Sequence, residues 1–142
     1  MFKFTIPLEP KTKKNSVQIM KNRKTGNPFV AQSSAYREYQ EQCGWFIPKP
    51  QKPIDGKVNI KAIYFMSTRR KVDITNLHSA LHDVLTHYGV IADDSADIVL
   101  ATDGSRVKYD KDSPRTEVEI TALNELSYKE NKEVKKWLKR IM

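Results

Sequence analysis

The most regular hydrophobic pattern in the chain runs through residues 58–66, where apolar side chains recur at every second position. The alternating residues are Val58, Ile60, Ala62, Tyr64 and Met66. Because successive side chains of a strand point to opposite faces, this period of two predicts a β-strand with one buried face. Ile63 and Phe65 interrupt the other face, so the second half of the strand is expected to be covered on both sides.

A helical pattern follows, between about Asn76 and Tyr88. Its apolar residues share the 3.6-residue period that places them on one face of a helix: Leu77, Ala80, Leu81, Val84, Leu85 and Tyr88. Gly89 follows the last of them, as a left-handed helix end commonly requires. Either Asp73 or Thr75 is placed to cap the start. The sequence therefore predicts one amphipathic helix soon after the strand.

Weaker patterns predict the remaining elements of the body. Strands are expected at residues 2–6, 28–31, 98–102 and 116–121, with the charged residues 106–115 in a hairpin that links the last two. A turn is expected at residues 25–27 of the basic N-terminal segment. A helix that Ser33 or Ser34 caps is expected to run through Trp45 and to stop before Pro48.

The C-terminal segment has a different composition, rich in Lys and Glu after about residue 123. Its apolar residues keep helical spacing: Val134, Trp137, Leu138 and Ile141. We expect an amphipathic helix there that docks on the body, on a partner or on a second copy. Together the elements predict an α+β fold. It is a small single domain over residues 1–123, with a mixed β-sheet packed by helices, and a helical extension over residues 124–142.

Charge and cysteine content narrow the class of protein. The formal net charge of +8 favours polyanionic partners, nucleic acid first. The single cysteine, Cys43, excludes an internal disulfide, and zinc-finger spacing is absent. No apolar run approaches the roughly 18–20 residues of a membrane span, and the N-terminus lacks the apolar segment of a signal peptide. We therefore expect a cytoplasmic protein without a membrane partner.

Acidic residues flank the predicted helix in this otherwise basic chain. Asp73 lies between the strand and the helix, and Asp93 and Asp94 come just after the helix. Magnesium prefers oxygen ligands, keeps several waters and commonly needs only one or two protein carboxylates when phosphate supplies another ligand. These carboxylates therefore indicate a metal ion that acts on a phosphate backbone.

A second interpretation of the same carboxylates needs no metal. The helix spans roughly 18–20 Å, so its two ends are not automatically adjacent. Asp73 can simply cap the helix while Asp93 and Asp94 form a solvated turn. The metal site closes only if the following turn doubles back or if a second subunit supplies the other half. Three cations at positions 69–71 favour the metal interpretation, because a phosphate contact is useful there.

Other polar residues carry weaker signals. His78 and His82 have a spacing that can hold zinc, but the Glu of the zinc-protease motif is missing between them. We interpret them as flank or surface histidines. Asp83 lies opposite the apolar stripe and is expected at the surface. Cys43 has no neighbouring base, so it is expected to be a packing residue.

The central block of the chain carries a recognisable series of motifs. It reads Arg-Lys-Val-Asp-Ile-Thr-Asn-Leu at residues 70–77, Asp-Val-Leu at residues 83–85 and Gly-Val-Ile-Ala-Asp-Asp at residues 89–94. This series resembles the pattern Asp-x-Asp-Asn-Leu-x-Lys, an Asp-Ala-Leu-like step and a final Asp-Asp of the RusA family of Holliday junction resolvases. Residues 34–37 also resemble the family's first helix, and residues 114–120 resemble its final strand. The resemblance covers about residues 1–123.

The resemblance implies a small α+β homodimer, often encoded by phages or prophages. Such an enzyme cuts four-way DNA junctions symmetrically with Mg²⁺, for which Mn²⁺ is a possible substitute. By position, Asp73 and Asp94 are implied to be catalytic and to bind the metal, together with Asp93. Asn76 matches the Asn of the motif and, with Thr75 and Lys71, is expected to support the site.

Two positions depart from the family pattern. Thr75 stands where the family has its second motif Asp, and Ser79 stands where it has a functional Lys. The first change removes a metal ligand, and the second removes a cation that steadies phosphate or the leaving oxygen. Lys71 or Arg70 can replace the missing cation in space. An alternative function therefore stays open, a catalytically weakened protein of the same family that binds structured DNA, and so does a nuclease for other branched or flapped DNA.

The expected DNA contacts are cations of the N-terminal loop, the first helix and the segment before Asp73. They are Lys13, Lys14, Arg23, Lys24, Arg37, Arg69, Arg70 and Lys71. The expected partner is branched DNA, and the expected setting is DNA recombination or repair in the cytoplasm of a bacterium, with the protein encoded by the bacterium or by a phage.

Overall fold

A computed structural model of the chain describes residues 2–13, 17–32, 34–123, 136–137 and 139–141. Seven strands and two helices have full bounds within these ranges. In chain order they are β1 (Phe2–Ile6), β2 (Val17–Lys21), β3 (Pro28–Gln32), α1 (Ser34–Cys43), β4 (Val58–Met66), α2 (Ile74–His87), β5 (Val99–Ala101), β6 (Arg106–Tyr109) and β7 (Arg115–Ala122). The predicted strand at residues 58–66 and the helix that follows it are confirmed.

The main sheet has five strands and is mixed, as predicted. Its order is β1-β7-β4-β5, and β6 also pairs with β4. Strand β4 is antiparallel to β7 over residues 58–65 and parallel to both β5 and β6. Strand β4, helix α2 and strand β5 thus form a parallel crossover unit, which places the loop between β4 and α2 at the carboxyl end of the central strand.

The predicted hairpin between the last two strands is wrong. Strands β5 and β6 lie one after the other along the same edge of β4, while β7 lies on its opposite edge. Residues 106–109, expected in the hairpin, form β6 instead. The chain then crosses the end of β4, where the Asp110 N–H donates a 2.8 Å hydrogen bond to the Met66 carbonyl. Local alternation cannot predict this arrangement, because the strands pair with β4 and not with each other.

Both helices bury their apolar sides in one core with the sheet. In β4 the alternating residues from Val58 to Tyr64 are buried and those between them are partly exposed, so the core lies on one face. The buried side chains of the two helices are Tyr36, Tyr39, Cys43, Leu77, Ala80, Leu81, Val84 and Leu85. Each large apolar side chain buried this way contributes about 1.5–3 kcal/mol to folding. Burial also raises the pKa of the Cys43 thiol to about 11, as suits a packing residue.

Helix α2 has the ends that its sequence predicts. The Asp73 side chain caps the start by accepting the backbone N–H of Thr75 at 2.9 Å. Gly89 adopts a φ of 72° just after the helix. The N–H of Gly89 then reaches the Thr86 carbonyl and that of Val90 reaches the Leu85 carbonyl, which is the pattern of a Schellman cap.

Helix α1 is shorter than predicted, because a turn of residues 44–46 begins before Trp45. The Tyr88 hydroxyl donates a 2.6 Å hydrogen bond to the Gln40 carbonyl near the end of α1. Gly44 lies against the same ring, and a Cβ added there would approach the ring carbons to 2.6 Å. The turn and the end of α2 are therefore packed together closely.

A separate two-stranded sheet precedes α1. Strands β2 and β3 pair antiparallel, with Lys21 opposite Pro28 at the turn end. The predicted turn at residues 25–27 and strand at residues 28–31 are confirmed, but β2 was not expected. The sequence indicates only a basic segment there, because Gln18 and Lys21 interrupt the short apolar pattern.

Little of the C-terminal extension is described. Residues 136–137 and 139–141 are helical, and Trp137 and Ile141 are exposed. Val134 and Leu138 of the predicted apolar stripe lie outside the described residues, so its docking and the domain division stay predictions. In the described part of the chain no helix is long and apolar enough to cross a membrane.

Candidate functional site

The carboxyl end of β4 opens into a cationic loop. Arg69, Arg70 and Lys71 follow the strand and are all exposed. A groove on one side of this loop is lined by Glu9, Pro10, Lys11, Thr12, Ala35, Met66, Thr68, Arg70, Lys71 and Val72. Its only carboxylate, Glu9, accepts the Ser67 backbone N–H at 3.1 Å. The three cations of the groove make no ion pair with any described residue and are free to meet an anion.

A second groove lies on the other side of the same loop. It is lined by Met66, Thr68, Arg69, Arg70, Val72, Val107, Lys108 and Tyr109. The lining contains three cations and no carboxylate. The Arg69 guanidinium lies over the Tyr109 ring, 4.2 Å from its centroid, which fixes one cation while leaving its N–H groups available. Arg70 borders both grooves, so a continuous positive surface leads to the start of α2.

Asp73 stands at the end of this surface. It is exposed and has extended backbone angles at the N-cap of α2. One carboxylate oxygen holds the Thr75 N–H, and the Asp73 carbonyl accepts the N–H of Asn76 at 3.1 Å. These contacts fix the carboxylate at the positive end of the helix dipole, where its negative charge is favourable. Asp73 is thus a helix cap, as the metal-free interpretation requires, and still has an oxygen for another ligand.

Asp93 and Asp94 lie in the segment between α2 and β5, and both are exposed. Asp93 Oδ1 accepts the Asp94 N–H at 2.9 Å. The pKa of Asp93 is held below its usual range, chiefly by the Ser95 hydroxyl and to a smaller extent by the Asp94 N–H. The side chain of Asp93 therefore shapes the turn that presents Asp94. Its predicted role as a metal ligand stays a prediction.

The segment after α2 turns back toward the helix. The Asp94 carboxylate lies close enough to His82 for its charge to raise the pKa of that imidazole. His82 is in the third turn of α2. Asp73 caps the same helix nine positions before His82, about 13 Å away along the axis. Among the residues that the structure describes, no three Asp, Glu, His or Cys side chains meet around a common point suited to a metal ion. The two carboxylates predicted to bind the metal therefore lie outside the body of α2, Asp73 as its N-cap and Asp94 in the segment after it. The residues that the structure describes form no closed metal cage around them.

The donor set nevertheless suits magnesium. Asp73 and Asp94 offer hard carboxylate oxygens at an exposed surface, and Mg²⁺ usually keeps several waters and takes one or two carboxylates plus substrate phosphate. Both cationic grooves border Val72, so a phosphate bound in either of them would lie near Asp73. The missing ligands are therefore ones that water, DNA or a second subunit can supply.

The positions that depart from the family pattern share a helix face with two histidines. Thr75, Ser79 and His82 follow one another at the i, i+4 and i+7 positions, with His78 between them. The rings of His78 and His82 are stacked, 5.6 Å apart with a 7° interplanar angle. The face that carries a carboxylate and a Lys in the family pattern therefore carries a hydroxyl pair and an imidazole pair here.

These histidines are more buried than a surface interpretation predicts. His78 Nδ1 lies 2.7 Å from the hydroxyl of the buried Tyr64. Burial, then the neighbouring His78, lowers the pKa of His82 to about 4, although the Asp94 charge opposes this. His82 Nε2 is buried without a hydrogen-bond partner in the described part of the chain. The sequence spacing of the pair was visible, but neither Tyr64 nor Asp94 could be recognised as a neighbour.

The predicted DNA contacts divide into three groups. Arg23, Lys24 and Arg37 are exposed, as are the cations of the loop before Asp73. Lys13 instead forms a 3.2 Å ion pair with Asp83, so part of its charge is compensated. Lys14 lies outside the described residues. The DNA-binding role of each cation stays a prediction.

Asp83 is half-buried and contacts three other residues, whereas the sequence predicted a surface residue. Besides Lys13, it accepts hydrogen bonds from the Tyr36 hydroxyl at 3.1 Å and from Gln40 Nε2 at 3.2 Å. Burial, then the Asp83 charge, raises the pKa of Tyr36 well above its ordinary value. Asp83 therefore connects α1 and the N-terminal segment to α2.

Comparison with known families decides the ancestry of this arrangement. Residues 7–121 match the family model described as Endodeoxyribonuclease RusA. The chain belongs to the RusA family. This match begins just after β1, runs from β2 into β7 and includes the cationic loop, Asp73 and Asp94. Members of the RusA family are endonucleases of branched DNA junctions, so the resemblance in the sequence is confirmed at the level of the family. A search of curated proteins finds no match.

Proposed function

We propose that this protein is a Mg²⁺-dependent endonuclease that resolves four-way DNA junctions in recombination or repair. The observation that carries the proposal is a RusA-family fold in which two grooves rich in Lys and Arg both border Val72, the residue before Asp73. The grooves give a phosphate backbone a place to lie, and the carboxylate marks where the reaction occurs. We also propose that it acts in the cytoplasm of a bacterium and that either the bacterium or a phage encodes it.

The cationic loop would bind and orient the DNA. Arg70 borders both grooves and Lys71 borders one, so a strand that passes over the loop meets cations on either side. Arg69 is steadied by the Tyr109 ring, which reduces the entropy lost when it contacts phosphate. Lys71 or Arg70 would also take the place of the Lys that Ser79 replaces.

Asp73 and Asp94 would hold the magnesium ion, with Asp93 shaping the turn that presents Asp94. When bound, such an ion stabilises charge on the attacked phosphate and lowers the pKa of a bound water. The Thr75 hydroxyl would hold a water or a phosphate oxygen next to Asp73. Asn76, partly buried in the first turn, would keep that turn in place. Mn²⁺ is expected to substitute for Mg²⁺.

A homodimer suits this function. A four-way junction has approximate two-fold symmetry, and a two-fold dimer presents two identical sites to opposite strands. A second subunit would also offer additional ligands to the exposed carboxylates. The proposed partners are therefore branched DNA and a second copy of the chain.

The changes at Thr75 and Ser79 favour a second candidate function. A protein with one fewer carboxylate and one fewer cation on this helix face would bind structured DNA through the same grooves and cleave it poorly or not at all. The two functions share the binding surface and differ only in hydrolysis. A cleavage assay therefore separates them.

The test uses a four-way junction with each strand labelled in turn, incubated with Mg²⁺ and, separately, with Mn²⁺. The resolvase proposal predicts paired nicks on opposite strands that disappear in Asp94→Asn while junction binding persists. The matched control is Asp97→Asn, which removes an exposed carboxylate from the same segment and should leave the nicks intact. Junction binding by the unaltered protein without any nicks would establish the binding function instead. Flapped and linear substrates show whether other DNA is cut.

A further inference from the structure

The two-stranded sheet of β2 and β3, here called the ribbon, exposes an unusual set of side chains. Ile19 is 80% exposed, Phe29 46% and Met20 40%. None of the described side chains from residues 19–29 belongs to the core or packs against it. A two-stranded hairpin is marginally stable in water by itself, so these apolar side chains indicate a surface that a ligand covers.

The apolar side chains lie on both faces of the ribbon. Met20 is opposite Phe29 in the pairing register, so these two side chains share a face. Ile19 immediately precedes Met20 in the strand and therefore points to the other face. A ribbon that docks flat on a protein needs one apolar face only. Apolar side chains on both faces suit an element that enters a gap between two surfaces.

The charge around the ribbon identifies the ligand as a polyanion. From Pro10 to Arg37 the chain has seven Lys and Arg residues and no Asp or Glu. Three of these cations, Lys21, Arg23 and Lys24, lie at or next to the turn of the ribbon and are exposed. The turn is also well formed, since Asn22 Oδ1 accepts the N–H of Lys24 at 2.9 Å. A second copy of this basic chain would be repelled there, whereas DNA would be attracted.

We propose that the ribbon enters the branch point of a DNA junction, with its basic turn on phosphates and Ile19 and Phe29 against the faces of unstacked bases. Apolar side chains that enter a base step replace stacking between bases, and an aromatic ring stacks on any base regardless of sequence. A branch point offers base faces on two sides, which matches the two apolar faces of the ribbon. The ribbon then selects branched DNA over linear duplex, where base faces are not available. This inference rests on the proposed function only in taking junction DNA as the substrate.

The test measures binding alone, in EDTA, so that cleavage does not enter. A four-way junction carries 2-aminopurine beside the branch point, and a linear duplex carries it in the same sequence. The unaltered protein should increase 2-aminopurine fluorescence in the junction only. The double substitution Ile19→Ser with Phe29→Ser should abolish the increase and weaken junction binding by about tenfold or more, because one stacked base contributes about 1–3 kcal/mol. Duplex binding should change by less than about twofold, since phosphate contacts supply most non-specific affinity.

Two control variants separate apolar from charged contributions. Leu100→Ser removes an exposed apolar side chain from β5 and should leave both affinities unchanged. Arg23→Gln with Lys24→Gln should weaken junction and duplex binding together. Equal urea midpoints for all variants would show that the body is folded, as expected for residues outside the core.

Three outcomes overturn the inference. In the first outcome, the double variant retains the fluorescence increase and the junction preference. In the second, it loses duplex and junction binding equally. Alternatively, it changes the sedimentation coefficient of the free protein from dimer to monomer, which would show that the ribbon is a contact between copies. None of these outcomes depends on Asp94 or on magnesium. The inference can therefore fail while the nuclease function stands, and the reverse is equally possible.

Discussion

The backbone N–H of Thr75 donates a 2.9 Å hydrogen bond to Oδ1 of Asp73. This bond places the residue that departs from the family pattern directly beside the carboxylate that agrees with it. It also gives Asp73 two roles, since one oxygen caps α2 and the other remains for a ligand. Stability and activity can therefore be separated at this position by the choice of substitution.

Asp73→Asn should abolish cleavage while leaving the free energy of unfolding nearly unchanged. Asn caps helices about as well as Asp, but it lacks the negative charge that holds a divalent ion. Asp73→Ala should abolish cleavage and also cost about 1 kcal/mol of stability, because the cap is lost. Urea unfolding and junction cleavage measure the two effects. Full activity of Asp73→Asn would show that Asp73 is only a cap.

Thr75→Asp should increase metal affinity and cleavage rate several-fold. The substitution adds a second carboxylate in the first turn of α2, next to Asp73, and the helix dipole favours negative charge there. Thr75→Asn is the matched control, since Asn is similar in size to Asp and adds no charge. Cleavage rates at several Mg²⁺ concentrations measure the effect. Unchanged or slower cleavage by Thr75→Asp would contradict the placement of this position in the metal site.

DNA affinity should fall steeply with salt, and the cations of the loop should account for part of the slope. Each lost phosphate contact reduces the slope of log affinity against log salt concentration by about 0.9 on duplex DNA. Arg70→Gln with Lys71→Gln should therefore reduce it by about two. Lys52→Gln with Lys57→Gln, which alters two exposed cations before β4, is the control for net charge. An identical slope in both double variants would mean that the grooves do not bind DNA.

His82 should make the protein less stable as the pH falls below about 6.5. Its pKa is about 4 in the folded chain and near 6.5 in an unfolded one. The unfolded state therefore binds the extra proton between these values, and stability is complete above pH 6.5 and declines toward pH 4. The loss of unfolding free energy attributable to His82 is on the order of 3 kcal/mol. Burial and the neighbouring His78 cause the low pKa, and the charge of Asp94 opposes it.

Urea unfolding at pH 7.5 and pH 5 tests this expectation. His82→Gln should reduce the difference between the two pH values, because a residue that does not titrate replaces the buried imidazole. His87→Gln, an exposed substitution near the end of the same helix, should leave the difference as in the unaltered protein. Equal pH dependence in all three proteins would contradict the assignment of this effect to His82.

Local periodicity predicted the elements that carry the site. The alternation in β4 and the stripe on α2 are each formed within one segment, so their positions, the Asp73 cap and the Gly89 end could be predicted from sequence. The order of the strands in the sheet could not be predicted, because β5 and β7 each pair with β4 on opposite edges and not with each other. The contact between Tyr64 and His78 likewise arises from packing α2 on β4, which no spacing along the chain encodes.

The surroundings of the candidate site could be predicted only in part. The exposure of Asp73, of Asp94 and of the cations before Asp73 agrees with their residue types, and their roles stay predictions. The partners of Asp83 could not, since Tyr36 and Gln40 come from a different helix. For the same reason the ion pair between Lys13 and Asp83 could not be predicted, and the DNA-binding role of Lys13 stays a prediction.

The most direct measurement is Mn²⁺ binding to the free protein, detected by electron paramagnetic resonance. It compares the unaltered chain with Asp73→Asn, Asp94→Asn and the double variant. If both carboxylates hold one ion, the unaltered protein binds one Mn²⁺ per chain, and either single substitution weakens binding by about tenfold or more. The double substitution then adds little, because residues that share one ligand are not independent. Mn²⁺ affinity that is unchanged by both single substitutions would contradict the shared metal site and, with it, the proposed nuclease.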